Sequence, residues 1–110
     1  MELIDVSKEL YAASNRLGNS ADALFALGRN KAETERDYRS LLAQEMLKLK
    51  HDGMSVTLIP DIAKGNVSEK LFERDFAEAK FQAGIKAADA IKVQVSALQT
   101  ILKYHSDIGG

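Results

Sequence analysis

The sequence predicts an all-α chain. Two long antiparallel helices, about residues 2–50 and 68–105, are joined by an irregular elbow containing a short helical turn, and the whole forms a coiled-coil-like oligomer. Three observations carry that expectation. Apolar residues recur at alternating steps of three and four along most of the 110 residues, which places them on one helix face. The only proline, Pro60, falls with two of the seven glycines, Gly53 and Gly65, in one stretch, residues 52–66, which marks an irregular elbow. Finally, much of the 45% hydrophobic content is alanine, aromatics are 6% and tryptophan is absent. A monomeric core would be thin, and self-association is expected.

In the first arm the apolar face reads Leu3, Val6, Leu10, Ala13, Leu17, then Ser20, Leu24, Leu27, Lys31, Thr34, Tyr38 and Leu41. The phase survives Gly18-Asn19-Ser20, which favours one helix over residues 2–50. At about 1.5 Å per residue it would run to roughly 70 Å. A hairpin at residues 18–20 is the alternative, because Gly-Asn is a helix-stop signal. Residues 29–39, RNKAETERDYR, are polar apart from Ala32 and Tyr38. They read as a solvated stretch of coiled coil, with Lys31 and Glu35, and Glu35 and Arg39, spaced to pair along the helix. Beyond Tyr38 the face becomes Leu42, Met46 and Leu49. Lys48 and Lys50 suit the helix's negative end, and Asp52-Gly53 supplies a glycine C-cap.

Within the elbow, residues 56–59 (VTLI) could be a strand, but it would lack a partner and Pro60 would spoil pairing. A helical turn around residues 60–64 fits better, with Ser55 or Thr57 as N-cap and Gly65-Asn66 ending it. Val56, Leu58, Ile59 and Ile62 would then fill the space between the arms. The second arm opens at Ser68. Its face is Ala77, Phe81, Gly84, Ala88, Ile91, Val95, Leu98, Leu102 and His105, and fraying is expected from Ser106 to Gly110. Ala79, Ala83, Ala87 and Ala90 add a second small-residue face, as a helix with more than one neighbour would have. The seam residues singled out for core or oligomer contacts are Leu10, Leu17, Leu24 and Tyr38 in the first arm. In the second they are Phe81, Ile91, Val95, Leu98 and Leu102. Residues 1–110 read as a single helical domain, with the first arm at 2–51, the elbow at 52–67 and the second arm at 68–105.

The formal charge is −1, so no global basic field advertises a nucleic acid or a membrane. The chain has no cysteine, which excludes disulfides and thiolate chemistry and fits a reducing cytoplasm. The N-terminus lacks signal-peptide features, and no apolar run approaches the roughly 20 residues of a membrane span. Catalysis finds no constellation: neither His51 nor His105 has a glutamate three residues earlier, and no phosphate-binding loop, Rossmann glycines or nucleophile elbow occurs. The carboxylates Glu69, Glu73, Asp75 and Glu78 alternate with Lys70, Arg74 and Lys80, as on a solvated helix. No enzyme activity, cofactor, metal or small-molecule substrate is expected.

Residues 56–76 also resemble a helix-turn-helix. However, Gly65 follows Ala63 by two residues, Pro60 interrupts the first helix, and the would-be reading helix carries Glu69, Glu73 and Asp75. A local basic patch is the better prospect. If the arms fold back, Lys48, Lys50, Lys64, Lys70 and Arg74, with His51, gather at one end as candidates for an anionic contact. Phe72 and Phe76 could stack on bases, but their spacing of four more often marks core.

The residues ERDYRSLLAQEMLKLK, the elbow DGMSVTLIPDIAKGN and the run LFERDFAEAKFQA resemble a group of small phage and prophage proteins. That resemblance covers roughly residues 31–102, and its most specific parts are the elbow and Glu73-Arg74-Asp75. It implies a gene of the phage replication and recombination region. More loosely, the chain is similar to recombination mediators of the UvsY type, small helical ring-forming proteins that bind single-stranded DNA and help load a recombinase. The implied function is a non-enzymatic accessory protein of phage DNA replication or recombination. It would be a homo-oligomer in the cytoplasm of a bacterial or phage-infected cell, bridging a recombinase, a single-strand-binding protein or single-stranded DNA. A phage inhibitor of a host or immune-system protein, and a virion assembly chaperone, are the alternatives.

Overall fold

The structure, a computed structural model, describes residues 2–109. Three helices follow in order: α1 at Leu3–His51, α2 at Ile59–Asn66 and α3 at Ser68–Gly109. The two long helices pack against each other, and the short one lies between them in the chain. No helix among the described residues is long and apolar enough to cross a membrane.

Helix α1 runs unbroken through Gly18-Asn19-Ser20, so the continuous register wins over the local stop signal. Ser20 turns its hydroxyl back onto the Leu17 carbonyl at 2.7 Å, satisfying itself inside the helix. The end of α1 follows the C-cap expectation closely. Gly53 has φ +86°, its N–H donates to the Lys50 carbonyl, and the Met54 N–H donates to the Leu49 carbonyl. These are the two bonds of a Schellman motif, and Met54 packs against buried Leu49 as the motif's apolar contact.

Two glycines therefore respond to alanine in opposite directions. Gly18 is mid-helix, and a Cβ there would meet nothing within 4 Å, so Gly18→Ala is expected to add about 0.5–1 kcal/mol of stability. Gly53 has equal room but a left-handed backbone, so Gly53→Ala is expected to remove about 1–2 kcal/mol. In urea unfolding the two midpoints should shift in opposite directions with m unchanged.

The structure departs from expectation in four ways, three of them in the elbow. The N-cap of α2 is Leu58, with no side-chain cap bond, while the Ser55 and Thr57 hydroxyls lie 3.1 Å from each other. Pro60 in the first turn pre-sets the backbone instead. The helix also continues through Gly65 and Asn66 and breaks only at Val67, whose N–H still donates to the Ala63 carbonyl. Asn66 is held outside that break by donating to Glu45 on α1 at 2.8 Å. Of the four apolar residues expected to fill the space between the arms, Ile59 is buried and Ile62 half-buried, but Val56 and Leu58 are exposed. Finally, α3 extends past His105 to Gly109, because Ser106, Asp107 and Ile108 carry the last turn; Gly110 lies outside the described residues.

By contact the chain forms two compact units. The first pairs Met1–Ala26 with Gln82–Gly110, and its core is Val6, Ala13 and Leu98 with Leu10, Val95 and Leu102 packed around them. Arg16 reaches Gln94 across this unit at 2.7 Å. The second unit is Leu27–Phe81, and its core is Leu49, Ile59 and Ala63, surrounded by Leu42, Met46, Met54 and Ile62. Here the antiparallel register is legible from cross-helix neighbours. Gly28 faces Phe81, Lys31 faces Glu78, and Glu35 faces Arg74. Buried Ala13, Ala77 and Ala88 make the seams narrow, and each alanine contributes little burial energy.

Candidate functional site

The elbow end of the second unit sets an open apolar surface beside exposed lysines. A groove of about 230 Å³ is lined by Met46, Leu47 and Lys50 from α1 and by Val56, Ile59 and Pro60 from the elbow and α2. The Schellman turn and the proline-started helix fix its two walls. Leu47 is 69% exposed and Val56 74%, so the groove presents large side chains to solvent. Leu47 sits one step off the Leu42, Met46 and Leu49 face, so the heptad pattern does not mark it, and the same step turns it away from the core.

The five cationic candidates divide into two groups. Lys48, Lys50 and Lys64 are exposed and have no ion pair among the described residues. Lys70, by contrast, lies 3.3 Å from Glu73. Arg74 is bound on several sides. It donates to Asp75 at 3.0 Å, lies 3.5 Å from Glu35, and stacks 4.6 Å from the Tyr38 ring centroid. The hydrogen bond to Asp75 is the main reason its guanidinium is raised above its ordinary value, with partial burial opposing. Glu35 in turn bridges Arg74 and Arg39, the latter at 2.7 Å. The spacing of Lys31 and Glu35 suggested a pair, but Lys31 reaches across to Glu78 at 2.8 Å. His51 lies exposed in the last turn of α1, and His105 is half-buried on α3 beside Tyr104.

Phe72 and Phe76 correct the core expectation, being 62% and 53% exposed. Counting back from Ala77, the packed face of α3 passes through Arg74, Lys70 and Val67, which turns both phenylalanines outward. They stack on each other at 5.9 Å with rings 5° from parallel, and Lys80 sits 4.9 Å from the Phe76 centroid. Phe72, Phe76 and Lys80 line a hollow that Glu69 and Glu73 also border. On the packed side, a Cβ at Gly28 would meet the Phe81 ring at 3.3 Å, so this glycine lets α1 approach the ring closely.

Of the seam residues named from the sequence, Tyr38 and Leu98 are buried; Leu10, Leu17, Leu24, Phe81, Ile91, Val95 and Leu102 are half-buried. Among the described residues no group of three or more acidic, histidine or cysteine side chains is placed to hold a metal. No protein-family model, curated protein or solved structure matches the chain.

Proposed function

We propose that the chain is a non-enzymatic adaptor of phage DNA replication or recombination, using its elbow to hold a protein partner such as a recombinase or a single-strand-binding protein. The observation that carries this reading is the elbow groove with exposed Leu47 and Val56 at its rim. Exposed apolar side chains grouped at a groove mark a surface suited to a protein contact. The phage context rests on the resemblance in the elbow and in Glu73-Arg74-Asp75.

A second reading, direct contact with single-stranded DNA at the same place, is favoured by unpaired Lys48, Lys50 and Lys64. Asp52 and Asp61 share that stretch, so the local excess of positive charge is small. Charge alone would not hold a strand strongly, and the groove's apolar surface would have to take part.

One titration series tests both readings, using a labelled oligonucleotide, a labelled single-strand-binding protein and a labelled recombinase. Val56→Asp is expected to abolish binding of the protein probes. If the strand is held, reversing Lys48, Lys50 and Lys64 to glutamate abolishes oligonucleotide binding. Three phosphate contacts also predict about twentyfold weakening between 50 and 200 mM salt. Reversing Lys70 and Arg74 instead should act on stability, because both already serve carboxylates. The adaptor reading fails if neither protein probe binds or if Val56→Asp leaves their binding unchanged. The strand reading fails if the lysine reversals leave oligonucleotide binding intact.

A further inference from the structure

Helix α3 carries a second heptad face within the first compact unit. Ala83, Ala90, Ala97 and Tyr104 recur every seven residues. Between them, at steps of four and three, fall Ala87, Gln94, Ile101 and Ile108. Seven of these eight positions are apolar, and all eight are exposed. The exposure reaches 64% at Tyr104 and 67% at Ile108. By helical spacing this stripe lies ~100° around α3 from the residues that face α1. A solvated face has no need of such a pattern, whereas a coiled-coil seam requires it.

We infer that this face is the contact with a second copy of the chain, the two α3 helices packing antiparallel about a two-fold axis. Side-chain size selects that direction. The first half of the stripe is small and the second half large, so antiparallel packing sets Ala83 opposite Ile108, Ala87 opposite Tyr104 and Ala90 opposite Ile101. Large side chains then meet small ones at every level. Parallel packing would set the alanines together and crowd Tyr104 and Ile108 against themselves.

Charge selects the same direction. The positions bordering the stripe on its outer side are Lys86, Val93, Thr100 and Asp107. Antiparallel packing brings Lys86 of one copy beside Asp107 of the other, twice per dimer. Parallel packing would instead set Lys86 against Lys86 and Asp107 against Asp107. The contact is isologous, so it closes at two copies. It lies on the first unit and does not involve the elbow groove.

Sedimentation of the full chain at tens of micromolar should give a dimer, and Ile101→Asp should give a monomer of unchanged helical content. Lys86→Asp should weaken the dimer about fivefold, and adding Asp107→Lys to the same chain should restore it. Because the chain has no cysteine, introduced thiols report orientation without background. A mixture of Ala87→Cys and Tyr104→Cys chains should cross-link on oxidation, and Ala87→Cys alone should not. A monomer at hundreds of micromolar, a dimer indifferent to Ile101→Asp, or cross-linking of Ala87→Cys with itself would each overturn the inference.

Discussion

Replacing Tyr38 by alanine is expected to lower the unfolding free energy by about 3 kcal/mol, a large part of the roughly 5–15 kcal/mol a domain possesses. Tyr38 is 5% exposed in an otherwise polar stretch of α1, so its ring supplies most of the apolar burial there. It is also the platform on which the Arg74 guanidinium rests. Removing the ring leaves a cavity and frees Arg74 from one of its contacts, while Glu35 and Asp75 remain. Tyr38→Phe separates packing from polarity. The hydroxyl makes no hydrogen bond among the described residues and is not a buried unpaired atom, so that change should fall within about 0.5 kcal/mol of the parent. Urea midpoints for the two variants check the pair. Equal losses would mean that the hydroxyl, not the ring, holds the helices together.

The long helices were legible because their signal is repeated. Each heptad restates which face is inward, and many concordant positions outweigh one Gly-Asn at residues 18 and 19. The polar stretch of residues 29–39 kept the same phase, so Lys31, Thr34 and Tyr38 could be assigned inward despite their chemistry. What was not legible depends on partners far apart in sequence. Lys31 could pair with Glu35 by spacing, but Glu78 lies across from it once the helices pack. Arg74 likewise meets Glu35 only across the packed helices, whereas its bond to Asp75 and the Lys70–Glu73 pair are local and lay within reach of spacing alone. Caps failed for a different reason. A serine or threonine caps only when its backbone leaves the helix at that residue, and in the elbow that residue is Leu58. The exposure of Phe72 and Phe76 could have been read, since the heptad that starts at Ala77 extends backwards to Val67 and leaves both outside it.

The elbow itself should prove to have one face for folding and another for contact, and aspartate substitutions on either side of it distinguish them. Ile59→Asp removes a side chain that is 5% exposed among Leu49 and Ala63, and puts an unpaired carboxylate in its place. The lost burial and the stranded charge together are expected to cost about 4 kcal/mol or more. Burial pushes such a carboxyl above its unfolded value, so the folded state tolerates its protonated form better. The deficit should therefore be greatest near neutrality and shrink as pH falls through the raised value. Val56→Asp changes a residue three positions earlier that is 74% exposed, and its effect on unfolding should stay within about 0.5 kcal/mol at any pH. Hydrogen exchange at Leu49, Met54 and Val67 should accelerate in the first variant and not in the second. Comparable destabilisation by both would make Val56 a structural residue and remove the ground for assigning the groove to a partner. If only Ile59→Asp unfolds the elbow, the exposed rim of Leu47 and Val56 serves no purpose within the chain that stability detects. An apolar rim that folding does not use is then free to serve a partner.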